Sequence, residues 1–136
     1  MNNRQEFTPS MNLEPSPSAS NSQSDQVKAC LAVVREALLD VKAKEIVEID
    51  VSNVSNVADV MVIASGTSTR HVKSLADNVA EEARKAGFRP LGMEGERDAE
   101  WILLDLGFVI VHLMLPTARK FYDLESLWRA APESLA

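Results

Sequence analysis

The sequence predicts an α/β fold, one mixed five-stranded sheet with flanking helices packed against it. Three observations lead there. The spacing of apolar residues switches along the chain from a helical period to strand patterns and back. The first two strand-like runs are joined by too few residues to hold a crossover helix, which makes them antiparallel. The second run then passes through Gly66-Thr67-Ser68-Thr69 straight into a helical pattern, the start of a right-handed crossover to a parallel strand.

At 136 residues the chain allows one domain. Residues 1–24 stand apart, because Ser, Asn, Pro and Gln occupy 15 of the 24 positions and leave too little apolar surface to offset the entropy of ordering. They are expected to form a disordered N-terminal tail, with a single domain over 25–136. Order is expected from Ser24 or Asp25, either of which can cap a helix. Val27, Cys30, Leu31, Val34, Leu38 and Val41 then mark one helix face. Glu45 to Val51 reads as a first strand. Val60 to Ala64, apolar throughout, reads as a strand covered on both faces. A second helix buries Val72, Leu75, Ala76, Val79 and Ala83 and stops at Gly87 and Pro90. Pro90 to Glu94 is a short third strand. Trp101 to Leu106 and Phe108 to Met114 form a hairpin around Gly107. A turn or short helix over Pro116 to Lys120 and a helix over Tyr122 to Arg129 complete the chain.

Composition narrows the function. Asp and Glu outnumber Lys and Arg by 20 to 14, a formal charge of −6, so broad electrostatic attachment to nucleic acid is disfavoured and a basic protein partner fits the sign. A single cysteine, Cys30, excludes an internal disulfide and a multi-cysteine metal site, and its place on the first helix face marks it as a small buried apolar residue. No apolar run reaches the roughly 18 residues that span a bilayer. The N-terminus lacks a signal-peptide pattern, so a cytoplasmic location is expected.

The chemistry-bearing candidates are few. The Gly66–Ser68 turn could offer helix N–H groups to an anion, but it has neither the Gly-Lys-Ser/Thr end of a phosphate loop nor the three-glycine fingerprint. Its plain reading is a helix cap. A nucleotide-transferring enzyme would also need carboxylates converging on a metal ion just after that turn, where Arg70 and His71 stand instead. His71 and His112 are the only histidines and lack zinc-ligand spacing. No metal, cofactor or catalytic residue is therefore expected. Trp101, which opens a strand after the charged Gly95–Glu100 loop, can anchor either a core or an interface. Arg119, Lys120 and Tyr122 form a polar-aromatic group whose plain reading is a solvated turn with Phe121 tucked inside.

The run from Asp59 through Val62-Ile63-Ala64-Ser65-Gly66-Thr67-Ser68-Thr69-Arg70-His71-Val72 resembles the signature of the ribosomal silencing factor (RsfS/Iojap) family. So do Glu94-Gly95, Trp101-Ile102-Leu103-Leu104-Asp105-Leu106-Gly107, Val109 to His112, and Arg119 with Phe121-Tyr122, Leu124-Glu125 and Leu127-Trp128. The likeness covers about residues 27–130. One departure is Phe108, where the family usually carries Asp or Asn. The resemblance implies a nucleotidyltransferase-like fold without catalytic residues. It also implies a role: binding a protein of the large ribosomal subunit, the one numbered fourteen, at the face that meets the small subunit. Subunit joining is thereby blocked and translation repressed when nutrients are scarce. Homodimers of the free protein are implied as well. On this likeness the partner-binding residues are Trp101 as apolar anchor with Ile102, Glu94 and Asp105 around it, then Arg119 and Tyr122. The alternative is a nucleotide-binding or nucleotidyl-transferring enzyme that uses the Gly66–Ser68 turn.

Overall fold

The computed structural model describes residues 15–128, with side chains from residue 23 onward. In chain order the elements are α1 (Pro15–Asp40), β1 (Lys44–Asp50), β2 (Val60–Ser65), α2 (Thr69–Lys85), β3 (Gly92–Glu94), β4 (Trp101–Asp105), β5 (Val109–Met114) and α3 (Pro116–Tyr122). The strands form one mixed sheet of order β1-β2-β5-β4-β3, in which only β2 and β5 pair in parallel. The antiparallel β1–β2 pair and the β4–β5 hairpin are as the sequence requires. The pairings also make β3 run in the same direction as β2, but β5 and β4 stand between them. The six-residue apolar β5 takes the place beside buried β2, and the three-residue β3 is left at the edge, where short strands are tolerated.

Helix α1 begins at Pro15, nine residues before Ser24 and ten before Asp25, the expected caps. Pro15 and Pro17 fall in its first turn, where a missing N–H costs nothing because that donor has no partner within the helix. Of the expected tail, residues 1–14 lie outside the described residues. Helix α2 begins at Thr69, inside the run expected to cap it, and its buried residues are the five that its period marks.

The sheet has two unlike faces. On one, α1 and α2 bury Val34, Leu38, Val72, Leu75 and Val79 against Val62, Ile102, Leu104, Val111 and Leu113. Each fully buried aliphatic side chain there contributes roughly 1.5–3 kcal/mol. The two helices are tied by Asn78 Nδ2, which donates to Ala37 O at 2.9 Å. The opposite face buries Ile49, Met61, Ile63 and Met114 under Ala118, Leu124 and Trp128. Among the described residues, α3 and the helical residues 124–128 reach across it, and Trp101, Leu103 and Ile110 on β4 and β5 stay half-buried.

The C-terminal region differs in detail from expectation. Tyr122 ends α3 instead of opening the last helix, because Asp123 adopts the left-handed conformation (φ 49°, ψ 52°) and breaks the run before residues 124–128 turn helical again. Arg129 lies outside the described residues. Phe121 is not tucked inside: it is 79% exposed, whereas Arg119 is buried. The two positions are about 200° apart on a helix, so burying one exposes the other.

Candidate functional site

The half-open sheet face gathers most of the residues that the sequence singled out. Alternation along β4 sends Ile102 and Leu104 toward the helices and Trp101, Leu103 and Asp105 toward the open side. Trp101 is held from three directions. Its Nε1–H donates to Nδ1 of His112 on β5 at 2.9 Å. Its ring packs on Tyr122 of α3, with centroids 4.7 Å apart and a 46° tilt, and Tyr122 in turn meets the edge of Phe121 at 5.0 Å. Its backbone is set by the loop before it: Gly95 has φ +92°, and a Cβ there would overlap the Trp101 carbonyl oxygen. Only glycine fits that approach.

The carboxylates frame this group. Glu94 on β3 pairs across to Leu103, and Asp105 pairs across to Ile110, so both acidic residues share the face with Trp101. Glu94 is exposed. Asp105 is half-buried, and its Oδ1 accepts from the Gly107 N–H at 2.8 Å, which fixes the hairpin turn. Trp101, Glu94, Asp105 and Tyr122 thus stand together on one surface.

Two predicted contacts do not join them. Ile102 is fully buried against α1 and α2 on the opposite face, so no partner reaches it in the folded chain. Arg119 is 7% exposed, with its Nε donating to Glu125 at 2.8 Å and its Nη1 to Ser65 Oγ at 2.9 Å. It ties α3 and the helical residues after it to the end of β2 and is no surface contact. In their place the face presents Leu103 and Ile110, both half-buried between the acidic residues. The period of two in β4 carried the signal for Leu103, since a strand that presents Trp101 presents Leu103 and hides Ile102.

His112 lies beneath this surface with 5% exposure. An indole N–H can only donate, so Nδ1 of His112 accepts and the ring proton sits on Nε2. Burial also pushes its pKa down to about 4, which keeps the ring neutral at physiological pH. The ring lines an apolar depression of about 240 Å³ with Met61, Leu103, Ile110 and Trp128.

The Gly66–Ser68 turn is used within the fold. Ser68 caps α2, its Oγ accepting from His71 N at 3.0 Å. Gly66 N donates to Met114 O, and Thr67 N donates to Nδ1 of His71 at 2.9 Å. The same ring donates through Nε2 to Val41 O at 2.6 Å, tying the end of α1 to the start of α2. This is the capping arrangement, and it leaves fewer donors for an anion. Among the described residues no group of three or more His, Cys, Asp and Glu could hold a metal ion. No described helix is long and apolar enough to cross a membrane. Cys30 is buried, and burial pushes its thiol up to about 11, far from the reactive thiolate range.

Comparison with known proteins bears on the whole of this region. The family model described as "Ribosomal silencing factor during starvation" matches residues 23–135. A protein of Haemophilus influenzae named ribosomal silencing factor RsfS is 45% identical over 100 residues, 74% of this chain and 98% of that one. A mouse protein named mitochondrial assembly of ribosomal large subunit protein 1 is 29% identical over 119 residues, 85% of this chain and 50% of that one. A crystal structure of a Chromobacterium violaceum protein superposes with a TM-score of 0.73 at 42% identity, covering 74% of this chain and 84% of that one. With a family match over nearly all the described residues and a solved relative sharing the fold, the chain belongs to the ribosomal silencing factor (RsfS) family.

Proposed function

We propose that this chain is a non-enzymatic repressor of translation in the cytoplasm. It docks its half-open sheet face on a basic protein of the large ribosomal subunit, the one numbered fourteen, where the small subunit would join. Occupying that face keeps the subunits apart and lowers translation when nutrients are scarce. Between such encounters the free chain pairs as a homodimer. Family membership supports the ribosomal partner, and the name of the mouse relative supports the large subunit as the one concerned.

The observation that carries the reading is the surface built by Trp101, Tyr122, Leu103 and Ile110 with Glu94 and Asp105 at its border. An aromatic centre with a polar rim is the anatomy of a protein interface. The carboxylates and the net charge of −6 favour a basic protein and oppose bare RNA. Sedimentation of the full chain with purified subunits tests the reading. The expected result is co-sedimentation with large subunits and not with small subunits or joined ribosomes. Equal binding to both subunits contradicts it.

A further inference from the structure

The depression beside Trp101 carries a polar group that nothing in the described fold satisfies. His112 Nδ1 is taken by the Trp101 indole, which forces the ring proton onto Nε2. Among the described residues Nε2 meets no acceptor, although the residue is 95% buried by its 5% exposure and lines the depression with Met61, Leu103, Ile110 and Trp128. A buried donor without an acceptor is rare in native proteins and asks for a partner beyond the described residues. The surroundings state what that partner offers. The walls are apolar apart from Ser55, whose Oγ already accepts from the Val57 and Ala58 N–H groups, and the cross-strand neighbours of Leu103 and Ile110 are the carboxylates Glu94 and Asp105. An entering segment therefore combines an apolar side chain, a hydrogen-bond acceptor and flanking positive charge.

We propose that a loop of the basic ribosomal partner inserts an apolar side chain into this depression and sets a main-chain carbonyl oxygen on the Nε2–H of His112. The proposal rests on the reading of the open face as the ribosomal contact and adds a specificity-determining hydrogen bond to it. A wholly apolar surface docking here would strand the donor away from water, and a cationic side chain would present a second donor to it. A carbonyl satisfies it and leaves the partner's positive charges to Glu94 and Asp105. His112 thus has two tasks through two atoms: Nδ1 orients the Trp101 indole, and Nε2–H reads the partner.

Two substitutions separate these tasks. Asparagine can place an acceptor near the position of Nδ1 but has nothing at Nε2. Glutamine can place an N–H near the position of Nε2 but leaves the indole without its acceptor. Binding of the wild-type full chain, His112→Asn and His112→Gln to purified large subunits is measured by sedimentation, with thermal melting of each chain alone as the folding control. The expected order is wild type, then Gln, then Asn, with Asn weakened by roughly fivefold or more. Asn binding as tightly as wild type, or more tightly than Gln, overturns the proposal and leaves His112 as a residue that only positions Trp101. Failure of the wild-type chain to bind large subunits at all contradicts the parent reading instead, and the proposal falls with it. Should one variant fail to melt cooperatively, the other still decides, since each is compared with wild type: Asn at wild-type affinity, or Gln weakened more than tenfold, contradicts the proposed contact.

Discussion

Trp101 and His112 stand on neighbouring antiparallel strands with ring centroids 5.8 Å apart, joined by the indole N–H to Nδ1 bond of 2.9 Å. One ring is half-exposed at a candidate interface, and the other is buried beneath it. A neutral histidine below thereby fixes the rotamer of the tryptophan above, and such preorganisation reduces the ordering cost of binding.

This pair makes stability depend on pH. The pKa of His112 falls from its ordinary 6.5 to about 4 on folding because burial penalises the cation. A depressed folded pKa means that the unfolded chain takes up the proton first, so the stabilisation is complete above about pH 6.5 and is lost as pH falls toward 4. Between pH 7 and pH 5 the expected loss is about 2 kcal/mol, measured by urea unfolding. His112→Asn removes this part of the slope. Parallel pH profiles for the two chains would contradict the assignment.

Arg119 is expected to act on stability. Arg119→Ala removes the charge-assisted bond to Glu125 and the bond to Ser65 together, at a cost of about 3 kcal/mol by urea unfolding. Arg119→Lys recovers less than half of it, because one ammonium cannot span both partners in the same geometry. Unchanged stability in Arg119→Ala would show that the tie contributes nothing.

Gly95→Ala is expected to disturb the start of β4. The new Cβ collides with the Trp101 carbonyl in a left-handed backbone region, so the cost should exceed the roughly 1 kcal/mol of an ordinary glycine replacement. Tryptophan fluorescence and melting report it. A variant that melts and fluoresces like wild type would mean that the loop relaxes freely.

Cys30 is expected to resist a thiol reagent in the native chain at pH 8 and to react at once in denaturant, since it is buried and its thiol is raised to about 11. Rapid native labelling would place it outside the core.

What the sequence revealed followed how local each signal is. The period of α2 named all five of its buried residues, because a helix face is written within one segment. The β1–β2 pairing followed from the length of one linker. Ile102 and Arg119 were misplaced for the opposite reason. Which side of β4 faces the helices, and whether α3 turns Arg119 inward onto Ser65, 54 residues earlier, depend on elements distant in the sequence. The bond between Trp101 and His112 needs the β4–β5 register, which the turn at Gly107 and the Asp105 carboxylate set. Alternation alone would have exchanged Ile102 for Leu103, and nothing local marks the depression that Trp128 helps to line.

The measurement that bears most directly on the central claim is subunit joining followed by light scattering, with the wild-type chain, Trp101→Ala and Trp101→Phe added to purified large subunits before small subunits. Removing the indole at the centre of the face should cost about 2 kcal/mol or more of binding, roughly thirtyfold in affinity. The expected result is that wild type suppresses joining and that Trp101→Ala, shown to be folded by its melting curve, does not at the same concentration. Trp101→Phe, which keeps the packing on Tyr122 but loses the bond to His112, should fall between them. Joining that proceeds normally on large subunits carrying the bound wild-type chain, or suppression by Trp101→Ala equal to that of wild type, would contradict it.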